Sequence, residues 1–183
     1  MTGTRRHWAA LPVVAGGLTW TGWAVVAATT GSVADGVALS LVAISGLLLA
    51  VGLAGLVLAF DWAYQFPGGE GAALAAVGSL SFAVGQALGL VRGEGGLATW
   101  FLAPGVLVLV AGSLLLAAGL VRARRLPPWI GVSLFVGTVL FLGFNRVSAL
   151  ALPVGLAWVA VGSHLWRHPH RPADHLEPSA AGR

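Results

Sequence analysis

The stretch ATWFLAPGVLVLVAGSLLLAAGLV, residues 98–121, runs 24 residues without a charge and ends at Arg122, Arg124 and Arg125. At about 1.5 Å per residue, a helix of that length spans about 36 Å, enough to cross the ~30 Å hydrocarbon layer of a bilayer. Its apolar residues show no in-out alternation, so a helix is expected rather than a strand of a membrane barrel. A helix also satisfies its backbone N–H and C=O groups within one segment, as hydrocarbon requires.

Working outward, five further apolar runs follow the same rule. Together the six cover residues 8–28, 37–60, 72–91, 98–121, 129–144 and 147–166. They are separated by Asp35-Gly36, Asp61, the turn-like Pro67-Gly68-Gly69-Glu70-Gly71, Arg92, Pro127-Pro128 and Asn145-Arg146. The expectation is an all-α, polytopic transmembrane bundle of about six helices over residues 1–166. The fifth run is short, about 24 Å as a helix, and a re-entrant hairpin is the alternative there. Residues 167–183 are rich in proline and polar groups and are expected to form a disordered cytoplasmic tail. Ser32-Val33-Ala34 after the first run resembles a cleavage site, but Trp20 and Trp23 and the run's length favour a retained helix.

Composition agrees. The 183 residues are 57% hydrophobic and 9% charged, with a mean hydropathy of +0.89. A water-soluble domain carries about a quarter charged residues, so lipid is the expected solvent. With neither cysteine nor lysine in the chain, disulfides, thiolate nucleophiles, Cys-bound metal and lysine Schiff bases are excluded. The pI of 11.4 accompanies a net charge of only +4. The arginines sit in short clusters beside apolar runs, where they orient helices and touch anionic headgroups. No nucleic-acid partner is expected.

Arginine placement sets the expected topology. With the N-terminus inside, Arg5, Arg6, Arg122, Arg124, Arg125, Arg167, Arg171 and Arg183 are cytoplasmic, and only Arg92 and Arg146 are outside. The positive-inside rule therefore gives an N-in/C-in protein of the cell membrane. Trp8, Trp62, Trp129 and Trp166 then mark the inner headgroup layer, and Trp100 the outer one.

Small residues recur at helical spacings. Gly105, Gly112 and Gly119 are seven apart, and Gly78, Ser81, Gly85 and Gly89 share a stripe of the third run. Helices in lipid associate through close backbone approach and dispersion, which small residues permit. One reading is packing inside the bundle. The other is that Ser81, Gly85 and Gly89 face a membrane protein partner or a second copy of the chain.

No ionisable residue lies near the middle of a run, which weighs against a proton relay or ion path. Gln86 is the exception among the deep polar groups, because a buried amide needs partners beyond its own helix. It serves either as glue between helices or, with Trp20 and Trp23, as part of a small-ligand cavity. His164, His168 and His170 form a histidine tract, a composition that captures divalent metals, yet Pro169 interrupts the helical face. No resident cofactor is expected. No serine, histidine and acid converge within the membrane region, so no enzyme is expected either.

Leu120-Val121-Arg122-Ala123-Arg124-Arg125-Leu126-Pro127-Pro128-Trp129 resembles a helix boundary seen in small uncharacterised membrane proteins of high-GC, actinobacterial-type bacteria. So does Leu152-Pro153-Val154-Gly155-Leu156-Ala157-Trp158, continuing to Gly162 and Leu165-Trp166-Arg167. The resemblance covers about the last third of the chain and implies six or so helices. In size and helix number the chain is also similar to the substrate-binding subunits of energy-coupling-factor vitamin transporters. Those meet their partner through an Ala-x-x-x-Ala stripe on the first helix, which Ala24 and Ala28 match in spacing. The first functional expectation is a non-catalytic accessory or interaction subunit. The alternative is a small-solute binding or transport subunit for a neutral or apolar compound.

Overall fold

A computed structural model describes residues 3–30, 36–59, 67–92, 97–124, 126–143 and 148–168. Regular structure among them is entirely helical: α1 (Gly3–Thr30), α2 (Gly36–Ala59), α3 (Gly68–Arg92), α4 (Leu97–Arg122), α5 (Pro128–Gly143) and α6 (Leu152–Arg167). A 3₁₀ turn at Ser148–Ala151 precedes α6. Helices α1 to α4 are each long and apolar enough to cross a membrane, whereas α5 is a shorter apolar helix. With 16 residues, α5 spans about 24 Å. The four residues of the 3₁₀ turn and the 16 of α6 span about 32 Å if collinear.

Three helix starts differ from the expected runs by more than two residues, and those of α3 and α6 have a physical reason. Helix α1 begins at Gly3, so Arg5, Arg6 and His7 belong to it. Helix α3 begins at Gly68 rather than residue 72, and the Gly71 N–H donates to the Pro67 carbonyl at 3.0 Å. Proline just before the first turn costs no hydrogen bond, and Glu70 complements the positive helix N-terminus. The sixth run starts as a 3₁₀ turn, because Pro153 has no N–H to continue an α-helix from residue 147. The expected tail beyond residue 168 lies outside the described residues.

Each helix packs against its neighbours in sequence, and α6 closes onto α1, so the described helices form a ring in the order α1 to α6. Neighbours run antiparallel, as the paired contacts below require. One end of the ring carries the start of α1 and the end of α6 (the near end); the other is the far end.

The closest seam joins α3 and α4, and both helices contribute a glycine every seven residues. Gly71, Gly78 and Gly85 of α3 meet Leu116, Leu109 and Leu102 of α4. Gly105, Gly112 and Gly119 of α4 meet Phe82, Ala75 and Gly68 of α3. A methyl group added at Gly78 or Gly112 would overlap the partner's backbone rather than the tip of a flexible side chain. The stripes are therefore what lets the two backbones approach, and dispersion over that seam holds the pair together in lipid. Elsewhere α1 is gripped from both sides. A Cβ on Gly16 would lie 2.8 Å from Leu49 Cγ of α2, and one on Gly17 would lie 2.7 Å from the Gly155 carbonyl of α6. The Ser45 hydroxyl of α2 adds a hydrogen bond to the Gly16 carbonyl at 2.7 Å, worth roughly 0.6 kcal/mol in a membrane setting.

The ring's interior is filled in two zones. Toward the near end it is aliphatic, with Leu53, Leu116, Leu120, Leu134 and Val161 buried. Toward the far end it is aromatic: Trp20 and Trp23 of α1, Phe82 of α3 and Phe141 of α5 pack together. Helices α1, α3 and α5 share no backbone contact among the described residues, so these rings bridge the centre.

Candidate functional site

The seams on either side of α5 are the weak part of the ring. At the near end Gly131 of α5 meets Val121 of α4. Toward the far end the two helices frame a cavity of about 660 Å³, lined by Trp23, Phe82, Gln86, Leu102, Val106 and Phe141, with Thr99, Ala103, Leu107 and Leu142 at its rim. That volume falls among those of small-molecule sites, which are mostly apolar with a few placed polar groups. The cavity is open on its α4 and α5 side, where Ala103, Leu107 and Leu142 are exposed.

Gln86 lies six residues before the end of α3, about 9 Å along the helix from Arg92. It is half-buried and forms no side-chain hydrogen bond among the described residues. An amide facing hydrocarbon without partners costs a few kcal/mol, so a guest that hydrogen-bonds it gains what solvent does not supply. Trp23 forms the inner wall, 4% exposed, and its indole N–H has no partner among the described residues; the same holds for the Trp20 N–H. Trp20 itself lies one layer behind the wall. It is fully buried and touches three cavity residues, with ring centroids 5.7 Å from Trp23, 5.7 Å from Phe82 and 5.1 Å from Phe141. Of the expected trio, then, Gln86 and Trp23 share a cavity and Trp20 braces it.

Two members of the Ser81, Gly85 and Gly89 stripe meet α4 of the same chain. Gly85 packs on Leu102 of α4, and the Ser81 hydroxyl donates to the Phe101 carbonyl of α4 at 3.0 Å. The acceptor lies one turn before Pro104, whose missing N–H leaves the adjacent Trp100 carbonyl, not that of Phe101, without its helical donor. Of these three residues, Gly89 is the one with open space around it. Gly78, Gly105, Gly112 and Gly119 all lie in the α3–α4 seam. Most other hydroxyls bond their own helix, such as Thr21 to the Gly17 carbonyl at 2.8 Å and Ser113 to Leu109 at 2.7 Å, the usual habit of such residues in membrane helices. The buried Ser79 hydroxyl has no partner among the described residues.

His164 and His168 stack at the near end, centroids 4.4 Å apart and 24° from coplanar. Metal ligation needs lone pairs that converge in the ring planes; stacked rings do not provide that. His170 lies outside the described residues, and no group of three metal-ligating side chains occurs among the described ones.

Sequence reasoning missed Phe82, Phe141, Leu102 and Val106 as cavity residues. The available signal was the presence of aromatics at matching depth on alternate helices. No protein-family model, no curated protein and no solved structure matches the chain.

Proposed function

We propose that this chain is a six-span protein of the cell membrane, with its near end cytoplasmic, that binds a small, neutral, largely apolar compound entering from the lipid between α4 and α5. The binding is non-catalytic, serving storage, sensing or passage of the compound. The observation that carries this reading is the pairing of an unpartnered amide, Gln86, with the Trp23, Phe82 and Phe141 rings around one laterally open cavity. A guest with an apolar body and one hydrogen-bonding head matches that lining. The accessory-subunit reading rests on the glycine stripes, the absence of charge deep in the runs and the short connections between them. Gly78 and Gly85 are occupied by α4 within the chain, so ligand binding has the stronger physical support.

Two measurements test it. Organic extracts of the protein purified in mild detergent should contain a compound that is lost from Ala103→Trp, which fills the cavity from its rim. Identical extracts would defeat the binding reading. The chain lacks cysteine, so Asp35→Cys, Glu94→Cys and Ala123→Cys report topology cleanly. In intact cells an impermeant thiol reagent should label positions 35 and 94 and spare 123.

A further inference from the structure

A second recess, unrelated to the cavity above, opens at the near end between the last turn of α6 and the link from α4 to α5. Its volume is about 270 Å³, and its lining includes Arg124, Leu126, Pro127, Pro128, His164 and His168. Three basic side chains thus share one recess, and no carboxylate lines it among the described residues. Among the described residues the single acidic one, Glu70, sits elsewhere, on the first turn of α3.

The backbone at this recess is unusual in one respect. Arg124 has φ of 53°, the only positive value at a non-glycine position among the described residues. The residue following a helix C-terminus commonly takes this left-handed form, and glycine is preferred there because a Cβ clashes with the following carbonyl. This chain uses 27 glycines, yet it carries arginine at this point. The turn is fixed on both sides: the Arg124 N–H donates to the Val121 carbonyl at 3.0 Å and the Leu126 N–H to the Leu120 carbonyl at 3.3 Å. Pro127 and Pro128 then stiffen the path into α5, whose N-terminal end faces the same region with the positive pole of its dipole. Opposite stand the stacked rings of His164 and His168, with His168 Nδ1 3.1 Å from the His164 carbonyl.

Depth also constrains the occupant. Trp129, one residue into α5, is 62% exposed, and Trp166, between the two histidines, is 36% exposed. Indoles at such positions mark the headgroup layer of a bilayer. A guanidinium in a fixed turn, two imidazoles and a helix N-terminus match the chemistry of a tetrahedral oxyanion, since guanidinium engages phosphate through paired hydrogen bonds. We propose that this recess binds a phosphate group, presented by an anionic phospholipid headgroup in the adjoining leaflet or as free inorganic phosphate.

The test uses the full chain in detergent, by native mass spectrometry after addition of phosphatidylglycerol or phosphatidylcholine, and by thermal shift with sodium phosphate against chloride of equal ionic strength. A lipid source predicts retention of phosphatidylglycerol at least tenfold above phosphatidylcholine, with no phosphate-specific shift. A free-phosphate source predicts the shift without the retention. Arg124→Gly should reduce whichever signal is present at least tenfold while leaving the ligand-free melting temperature equal or higher, because glycine relieves the left-handed turn. If Arg124→Gly does not fold, Arg124→Gln is read the same way. Ala103→Trp, at the other end of the bundle, should leave the signal unchanged. Equal binding by wild type and the Arg124 variant, or neither signal in the wild type, would overturn the proposal.

Discussion

The indole of Trp20 lies stacked on the Phe82 ring, centroids 5.7 Å apart and 29° from coplanar, although α1 and α3 share no backbone contact among the described residues. The same indole meets Phe141 of α5 edge-on at 5.1 Å. One side chain thereby connects three helices that the ring order keeps apart. Sequence-adjacent seams hold the wall of the bundle together, and Trp20 holds its middle at the level of the cavity.

Trp20→Ala should therefore be among the most damaging single changes. Removing a fully buried indole costs about 3–5 kcal/mol through lost contacts and residual cavity, measurable as a shift in the denaturant midpoint of the detergent-solubilised protein. Trp20→Phe should recover much of that loss. A Trp20→Ala variant as stable as wild type would show that the aromatic centre is not a structural brace.

Glycine substitutions should separate sharply by position. Gly78→Ala places a methyl group against the Leu109 backbone, and overpacking of this kind costs about 1–3 kcal/mol. At Gly22 and Gly89 an added methyl group would meet nothing within 4 Å. There, alanine should be neutral or should stabilise by up to about 1 kcal/mol through helix propensity. Unfolding titrations of the three variants check the contrast in sign.

The same contrast shows how far the sequence could be read. Helix number was legible because lipid demands long apolar runs, and arginine, proline and glycine punctuate them. The start of α3 was not, since Pro67-Gly68-Gly69 has turn chemistry. Gly68 nevertheless lies against Gly119, and that close packing draws it into the helix against its intrinsic preference. The stripes at Gly105, Gly112 and Gly119 and at Gly78 and Gly85 were visible as stripes, but that they face each other, with Gly71 extending the second, emerges only once the antiparallel register aligns them. Gln86 and Trp23 could be singled out as polar or large groups deep in a run. Their meeting with Phe82 and Phe141 depends on the relative depth of four helices, which one-dimensional spacing does not contain.

Hydroxyl deletions should follow the partner each hydroxyl has chosen. Ser45 donates to Gly16 across the α1–α2 seam, whereas Ser113 donates to its own helix. Ser45→Ala should cost roughly 0.6 kcal/mol, the typical value for an interhelical bond in a membrane protein. Ser113→Ala should be close to neutral, because back-bonding to the preceding turn adds little to a helix. Equal effects would indicate that the two bonds do equivalent work.

Gln86→Leu gives the most discriminating outcome, since stability and binding should move in opposite directions. The amide is half-buried without a partner among the described residues, so an apolar side chain of similar size removes a desolvation cost of about 1–3 kcal/mol and should raise the melting temperature of protein stripped of any bound compound. The same change removes the hydrogen-bonding head from a cavity otherwise lined by apolar side chains, Thr99 at the rim excepted. A compound bound through that amide should then be lost from purified protein, or its affinity should fall about tenfold, the equivalent of one hydrogen bond of ~1.4 kcal/mol. A residue kept solely for interhelical glue predicts the opposite first result, a lower melting temperature. Gln86→Leu that is stabilised and still carries its compound would leave the cavity as a purely apolar site, with selectivity set by the Trp23, Phe82 and Phe141 rings alone.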